Sequence, residues 1–300
     1  MTETKIKNNL KWIHLTRPNK NDVNELKNEF NIHPLILDEL LSPSDRSKIE
    51  TYDDYLFLVY HLPIYNNLEQ TSRRAEIDFV ATKEILITVT YEEIEPINQF
   101  ERDLEKKYQN TINNAAQIVY YILEEVNDFS LRQLKHVERK VNFVGDQIFK
   151  RQDRKLLEDI SSIKRDLLDF AIIAVPQKST LTSLSDIGVN FWGKHAAIYF
   201  ADLEGDFLKI HLLLENLKAT VESYSQTVSQ LFEFKTSEII RRFSILGFLT
   251  FPLVLYATIA LQPQVEATFI KEPADFWIYF FVISAILLGV AAFFRKRGWL

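Results

Sequence analysis

The chain has 300 residues, with 35 Lys and Arg against 41 Asp and Glu, no cysteine and seven glycines. Lack of cysteine excludes thiolate metal sites and disulfides, and neither phosphate-cradling pattern, G-x-x-x-x-G-K or G-x-G-x-x-G, occurs. Of the charged residues, 29 basic and 38 acidic ones precede Arg241, leaving that part at −9 and ill suited to nucleic acid, whose phosphates need clustered Lys and Arg.

Residues 1–112 carry the pattern of a small α/β domain. Alternating or β-branched runs predict strands at 11–16, 55–63, 77–81 and 85–90, with a turn at 82–84. Helices are expected at 19–31 and 34–41, where Pro34 suits a first helical position. From 113 to 193 the pattern becomes an antiparallel helical pair, 115–150 and 153–179, followed by a Gly- and Ser-containing link at 183–193.

The most regular segment is 194–242. Leu203, Phe207, Ile210, Leu214, Leu217, Val221, Tyr224, Val228 and Leu231 alternate spacings of four and three, an apolar seam of period 3.5. It can pack against the preceding helices, against other subunits, or both. No proline interrupts the approach to the next segment, so one helix is expected from Lys194 to Leu261.

Residues 243–261 and 276–294 are two 19-residue runs without Lys, Arg, Asp, Glu or His. At ~1.5 Å per residue each spans about 28 Å, close to the hydrocarbon thickness of a bilayer. A transmembrane hairpin follows, with 262–275 as its loop. Arg241 and Arg242 precede it and Arg295, Lys296 and Arg297 follow it, whereas the loop holds Lys271 against Glu266, Glu272 and Asp275. The positive-inside bias puts both termini in the cytosol and the loop outside. No apolar stretch precedes the soluble part, so residues 1–240 are expected to stay where they are made.

No catalytic set emerges. His14, His33, His61, His136, His195 and His211 lack metal-ligand spacing and read as surface or packing residues. Ser161 and Lys164 have the spacing of a serine–lysine pair, but lie in a polar, amphipathic helical pattern that reads as a solvated face. The chain is not read as an enzyme.

The residues Ile32 to Leu40, then Arg46-Ser47-Lys48-Ile49-Glu50, Tyr52 to Phe57 and Leu86 to Thr90 resemble the N-terminal domain of CorA-type divalent-cation channels. Tyr199 through Pro252 is similar to that family's stalk and first membrane helix, and Arg295 to Leu300 to its basic terminus. The resemblance covers nearly the whole chain. It implies an α+β fold in which the N-terminal cytosolic α/β domain leads through long helices to the membrane hairpin. It also implies a homopentamer with a funnel-like cytosolic part, lying in the inner or plasma membrane.

One departure stands out. Where the family carries Gly-Met-Asn at its outer pore mouth, or Gly-Ile-Asn in zinc-carrying relatives, this chain has Leu261, Gln262 and Pro263. Gln262 offers an amide carbonyl, but a proline reshapes the turn and leucine lacks glycine's backbone freedom. The resemblance further implies a pore lined by Ser237, Ile240, Phe243, Ser244, Gly247, Phe251, Val254 and Thr258, and cytosolic ion-sensing ligands at Asp38, Glu39 and Asp202. No cofactor is expected. Divalent cations would be both cargo and regulatory ligand, Mg²⁺ foremost, with Zn²⁺, Co²⁺ and Ni²⁺ as alternatives. The competing expectation is a membrane-anchored scaffold or regulatory homologue that has lost conduction.

Overall fold

A computed structural model of the chain describes residues 2–7, 10–66, 68–108, 111–151, 153–260 and 273–299. The chain divides into two compact units, Met1–Ser225 and Gln226–Leu300.

The first unit is built on a six-stranded sheet of order β1-β2-β6-β5-β4-β3. The strands are β1 (Thr2–Lys7), β2 (Leu10–Thr16), β3 (Lys48–Thr51), β4 (Leu56–Asn66), β5 (Thr71–Ala81) and β6 (Ile85–Thr90). Only β2 and β6 run parallel; the other neighbours are antiparallel. Helices α1 (Lys20–Glu29) and α2 (Pro34–Glu39) follow β2, and α3 (Glu95–Asp103) follows β6. Val23, Leu26, Ile36 and Leu37 from α1 and α2 share one core with Phe57, Val59, Val80, Ile87 and Val89 of the sheet. Helices α4 (Ala115–Gln147), α5 (Arg154–Ala174) and α6 (Gln177–Trp192) also pack on the sheet. With both faces covered, β4 is buried continuously from Leu56 to Pro63, as expected of a strand buried on two sides.

Strand β5 is twice as long as the expected 77–81 because its first half is polar. Those polar groups are paired: Ser72 donates to Asp166 at 2.9 Å, Arg73 forms a two-pronged pair with Glu92, and Glu76 meets His61 at 2.9 Å. Strands β1 and β3 had no sequence expectation. The expected link at 183–193 is corrected: Gln177–Trp192 is a helix, so the segment holds three helices rather than a pair and a link. Pro176, which stands at the start of α6, separates it from α5 and ends the expected 153–179 helix early. Gly188 belongs to the helix because Phe200 packs there; a Cβ at Gly188 would lie 2.5 Å from the ring. The chain turns at Gly193, whose φ of 96° suits glycine.

After a 3₁₀ turn at Lys194–Ala196, helix α7 runs unbroken over Ala197–Ala260. In the first unit its seam residues Leu203, Phe207, Ile210, Leu214, Leu217 and Val221 are buried. The burial is intramolecular: Tyr120 and Asn127 of α4 reach Asp202 and the Leu203 carbonyl, and Lys164 of α5 pairs with Glu222 at 2.6 Å. In the second unit, α7 and α8 (Pro273–Lys296) are long and apolar enough to cross a membrane. Tyr256 donates to the Phe276 carbonyl at 2.9 Å and its ring stacks on Phe276. Thr250 and Thr258 donate back to the Leu246 and Val254 carbonyls, which satisfies their hydroxyls in an apolar stretch.

Candidate functional site

Helix α2 presents the first pair of acids. His33 caps it, its Nδ1 accepting the Leu35 N–H at 3.3 Å, and Pro34 opens the first turn. Ile36, Leu37 and Leu40 turn into the core, which rotates Asp38 out to solvent and leaves Glu39 half-buried. Glu39 is not free: the Lys48 ammonium lies 3.0 and 2.8 Å from its two oxygens and 2.9 Å from Glu50. Burial works against the Lys48 charge, but the two carboxylates outweigh it and raise its pKa. The hydrogen bond from Lys48 in turn holds the Glu50 carboxyl below its ordinary range.

Behind α2 lies a polar cluster that sequence reasoning missed. Glu76 and Asp78 are nearly fully buried on β5. Glu76 accepts the Ser44 N–H at 2.8 Å and meets His61, which is therefore a buried partner rather than a surface residue. Tyr91 donates to Asp78 at 2.7 Å and lies 3.3 Å from the Glu39 carbonyl. Burial, then the neighbouring Glu76 charge, pushes the Asp78 carboxyl well above the usual range. The available signal was two acids spaced by two within an apolar strand.

Asp202, near the start of α7, is exposed and accepts the Tyr120 hydroxyl at 2.7 Å. Tyr120 also approaches Glu124 at 3.1 Å. Burial and its bond to Asp202 raise the Tyr120 pKa, and burial raises that of Glu124. Among the described residues of one chain, no three His, Asp or Glu side chains gather as a metal cage. Asp38, Glu39 and Asp202 are hard oxygen donors of the kind Mg²⁺ takes. Asp38 and Asp202 are accessible as they stand, whereas Glu39 fits a cation only if Lys48 moves aside.

Of the expected pore-lining residues, Ser237, Ile240, Phe243, Ser244, Gly247, Phe251, Val254 and Thr258 are all exposed along α7. Phe243 and Phe251 are 70% and 66% exposed, so nothing among the described residues of a single chain covers them. Ile245, by contrast, is buried. Leu261, Gln262 and Pro263 lie outside the described residues. The Ser161–Lys164 spacing forms no catalytic pair, since Lys164 is engaged with Glu222 and both residues are exposed.

Residues 7–296 match the family described as CorA-like Mg²⁺ transporter protein. The chain is 20% identical to the cobalt/magnesium transport protein CorA of Thermotoga maritima, over 96% of this chain and 83% of that protein. It superposes on the complete structure of the CorA magnesium transporter from Methanocaldococcus jannaschii with a TM-score of 0.84 and 18% identity, over 97% of this chain and 92% of that one. The ZntB cytoplasmic domain from Vibrio parahaemolyticus is similar at a TM-score of 0.55 and 16% identity, over 75% of this chain and 86% of that one.

Proposed function

We propose, from the premise that this chain belongs to the CorA-like Mg²⁺ transporter family, that it assembles as a homopentamer and passes divalent cations, Mg²⁺ foremost, into the cytosol. The observation that carries the reading is helix α7. Over Ala197–Ala260 it changes from a buried apolar seam to an exposed, charge-free stripe without a break. A seam buried within its own chain builds a rigid stalk; a stripe that none of the described residues covers needs lipid or further copies.

Five such stripes around an axis form a neck. Rings of Ile240, Phe243 and Phe251 make apolar constrictions that shed water and block ions without a plug. Gly247 leaves a wider segment between them, and Ser244 and Thr258 offer oxygens to an ion's water shell. Mg²⁺ dehydrates reluctantly and keeps several waters at ~2.0–2.1 Å, so contacts to that shell suffice and no carboxylate ring is required. A divalent ion moving inward gains about 4.6 kcal/mol per 100 mV, twice the value for one charge, so the membrane potential drives the flow.

Cytosolic Asp38, Glu39 and Asp202 supply the sensor. Acids brought face to face between neighbouring copies repel unless a cation lies between them. A filled site therefore holds the copies together with the neck shut, and an emptied one lets them part. Both termini then lie in the cytosol of a plasma or inner membrane, with Arg295, Lys296 and Arg297 at the inner surface.

The test is uptake of Mg²⁺, Co²⁺, Zn²⁺ and Ni²⁺ by liposomes containing the purified protein. The expected result is Mg²⁺ uptake that rises with an inside-negative potential. No uptake of any of the four above empty vesicles would reject transport and favour the non-conducting homologue, to which the change at Leu261, Gln262 and Pro263 lends support.

A further inference from the structure

Lys48 stands where a cation bound to Glu39 would have to stand. Its ammonium contacts both oxygens of Glu39 and one of Glu50, and lies 5.3 Å from the centre of the Phe57 ring. Lys48 and Glu50 are two apart on β3 and so project from the same face. The second Glu50 oxygen accepts the Tyr52 hydroxyl at 3.1 Å, which fixes that carboxylate beside the ammonium. The three side chains keep 30%, 37% and 39% of their surface exposed, so a hydrated ion can reach them.

Resting on the cation-sensing role proposed above, we infer that Lys48 is a tethered competitor at Glu39. A divalent ion must displace this ammonium toward Glu50 before Glu39 can join a site. Lys48 and Glu50 together then set the Mg²⁺ concentration at which the sensor fills.

The two residues act in opposite directions. Without Lys48, Glu39 and Glu50 are two carboxylates with no cation between them, and a divalent ion relieves their repulsion. Without Glu50, Lys48 has Glu39 alone as its partner and is harder to displace. Ion pairs this exposed are modest and screened by salt, which limits each shift to about threefold to fivefold at low ionic strength. Lys48→Arg keeps the charge and stays within about twofold of the wild type.

The experiment titrates Mg²⁺ against pancreatic elastase cleavage of the full-length protein in detergent, a protease that cuts after small side chains and so neither gains nor loses a site in these variants. Lys48→Met lowers the midpoint of protection by about threefold to fivefold, and Glu50→Gln raises it by a similar factor. In a Glu39→Gln background Lys48→Met leaves the midpoint unchanged, because the competed ligand is gone. A loss of local structure would move Lys48→Met and Glu50→Gln the same way, and that outcome overturns the inference. So does an unmoved midpoint in Glu50→Gln, which keeps the test decisive if Lys48→Met fails to fold. A wild type with no Mg²⁺-dependent protection fails at the earlier step: it rejects cation sensing itself, and the role of Lys48 with it.

Discussion

Asp78 is buried to 1% exposure beside Glu76, and its carboxyl holds its proton well above the ordinary range. The native state therefore binds that proton more tightly than the unfolded chain, whose aspartate pKa is ~3.9. Stability from this group is fully present below the unfolded value and is lost as pH rises through the native one. Asp78→Asn keeps an acceptor for the Tyr91 hydroxyl and removes the titration. Thermal unfolding of the full chain should show the variant gaining on the wild type between pH 4 and pH 8. A constant difference across that range would contradict the protonated state. His61 and Glu76, buried against each other alongside, make the same point about legibility. A histidine without ligand spacing reads as surface or packing from sequence, and only the register of β4 against β5, which pairs His61 with Glu76, shows its partner.

At the scale of elements, two glycines separate close packing from conformational need. A Cβ at Gly188 would lie 2.5 Å from Cε2 and 3.0 Å from Cδ2 of Phe200, a ring that is itself fully buried. A Cβ at Gly145 would meet the hydroxyl end of Tyr224, a half-buried side chain with room to swing. Overpacking costs about 1–3 kcal/mol, against roughly 0.5–1 kcal/mol gained when alanine replaces a helical glycine. Gly188→Ala should lower the unfolding temperature and Gly145→Ala should not; equal effects would show that α6 can shift away from α7. This pair also explains why 183–193 looks like a link from sequence. Glycines and serines signal a loop when conformation is the reason for them, but here Gly188 is small because Phe200 needs the space. The long periodic helices and the β4–β5–β6 core were legible because their patterns carry the packing directly. Polar strand ends such as Ser72 to Glu76 were not, since their partners Asp166, Glu92 and His61 are distant in sequence or lie across the sheet.

For the whole molecule, the heptad seam and the membrane stripe of α7 divide two tasks along one helix. From Leu203 to Val221 the seam is buried within its own chain, where α4, α5 and α6 meet α7. The stripe through Ile240, Phe243 and Phe251 is not covered by the described residues, and this is where the proposed further copies enter. The proposed lining residues rest on the family resemblance alone, because every residue on a charge-free apolar helix looks alike to periodicity. The candidate sensor was legible as acids but not as a balance of charges: nothing in the spacing of Glu39, Lys48 and Glu50 announces that one ammonium serves both carboxylates.

The chain's lack of cysteine allows a direct test of the watery axis. Phe251→Cys in liposomes is treated with a charged, membrane-impermeant thiol reagent while Mg²⁺ uptake is followed. The account predicts that the reagent modifies this position from the aqueous side and stops uptake, with the cysteine-free protein unaffected. Labelling only by a lipid-soluble maleimide, with uptake undisturbed, would place Phe251 against lipid and contradict a conduction path lined by α7.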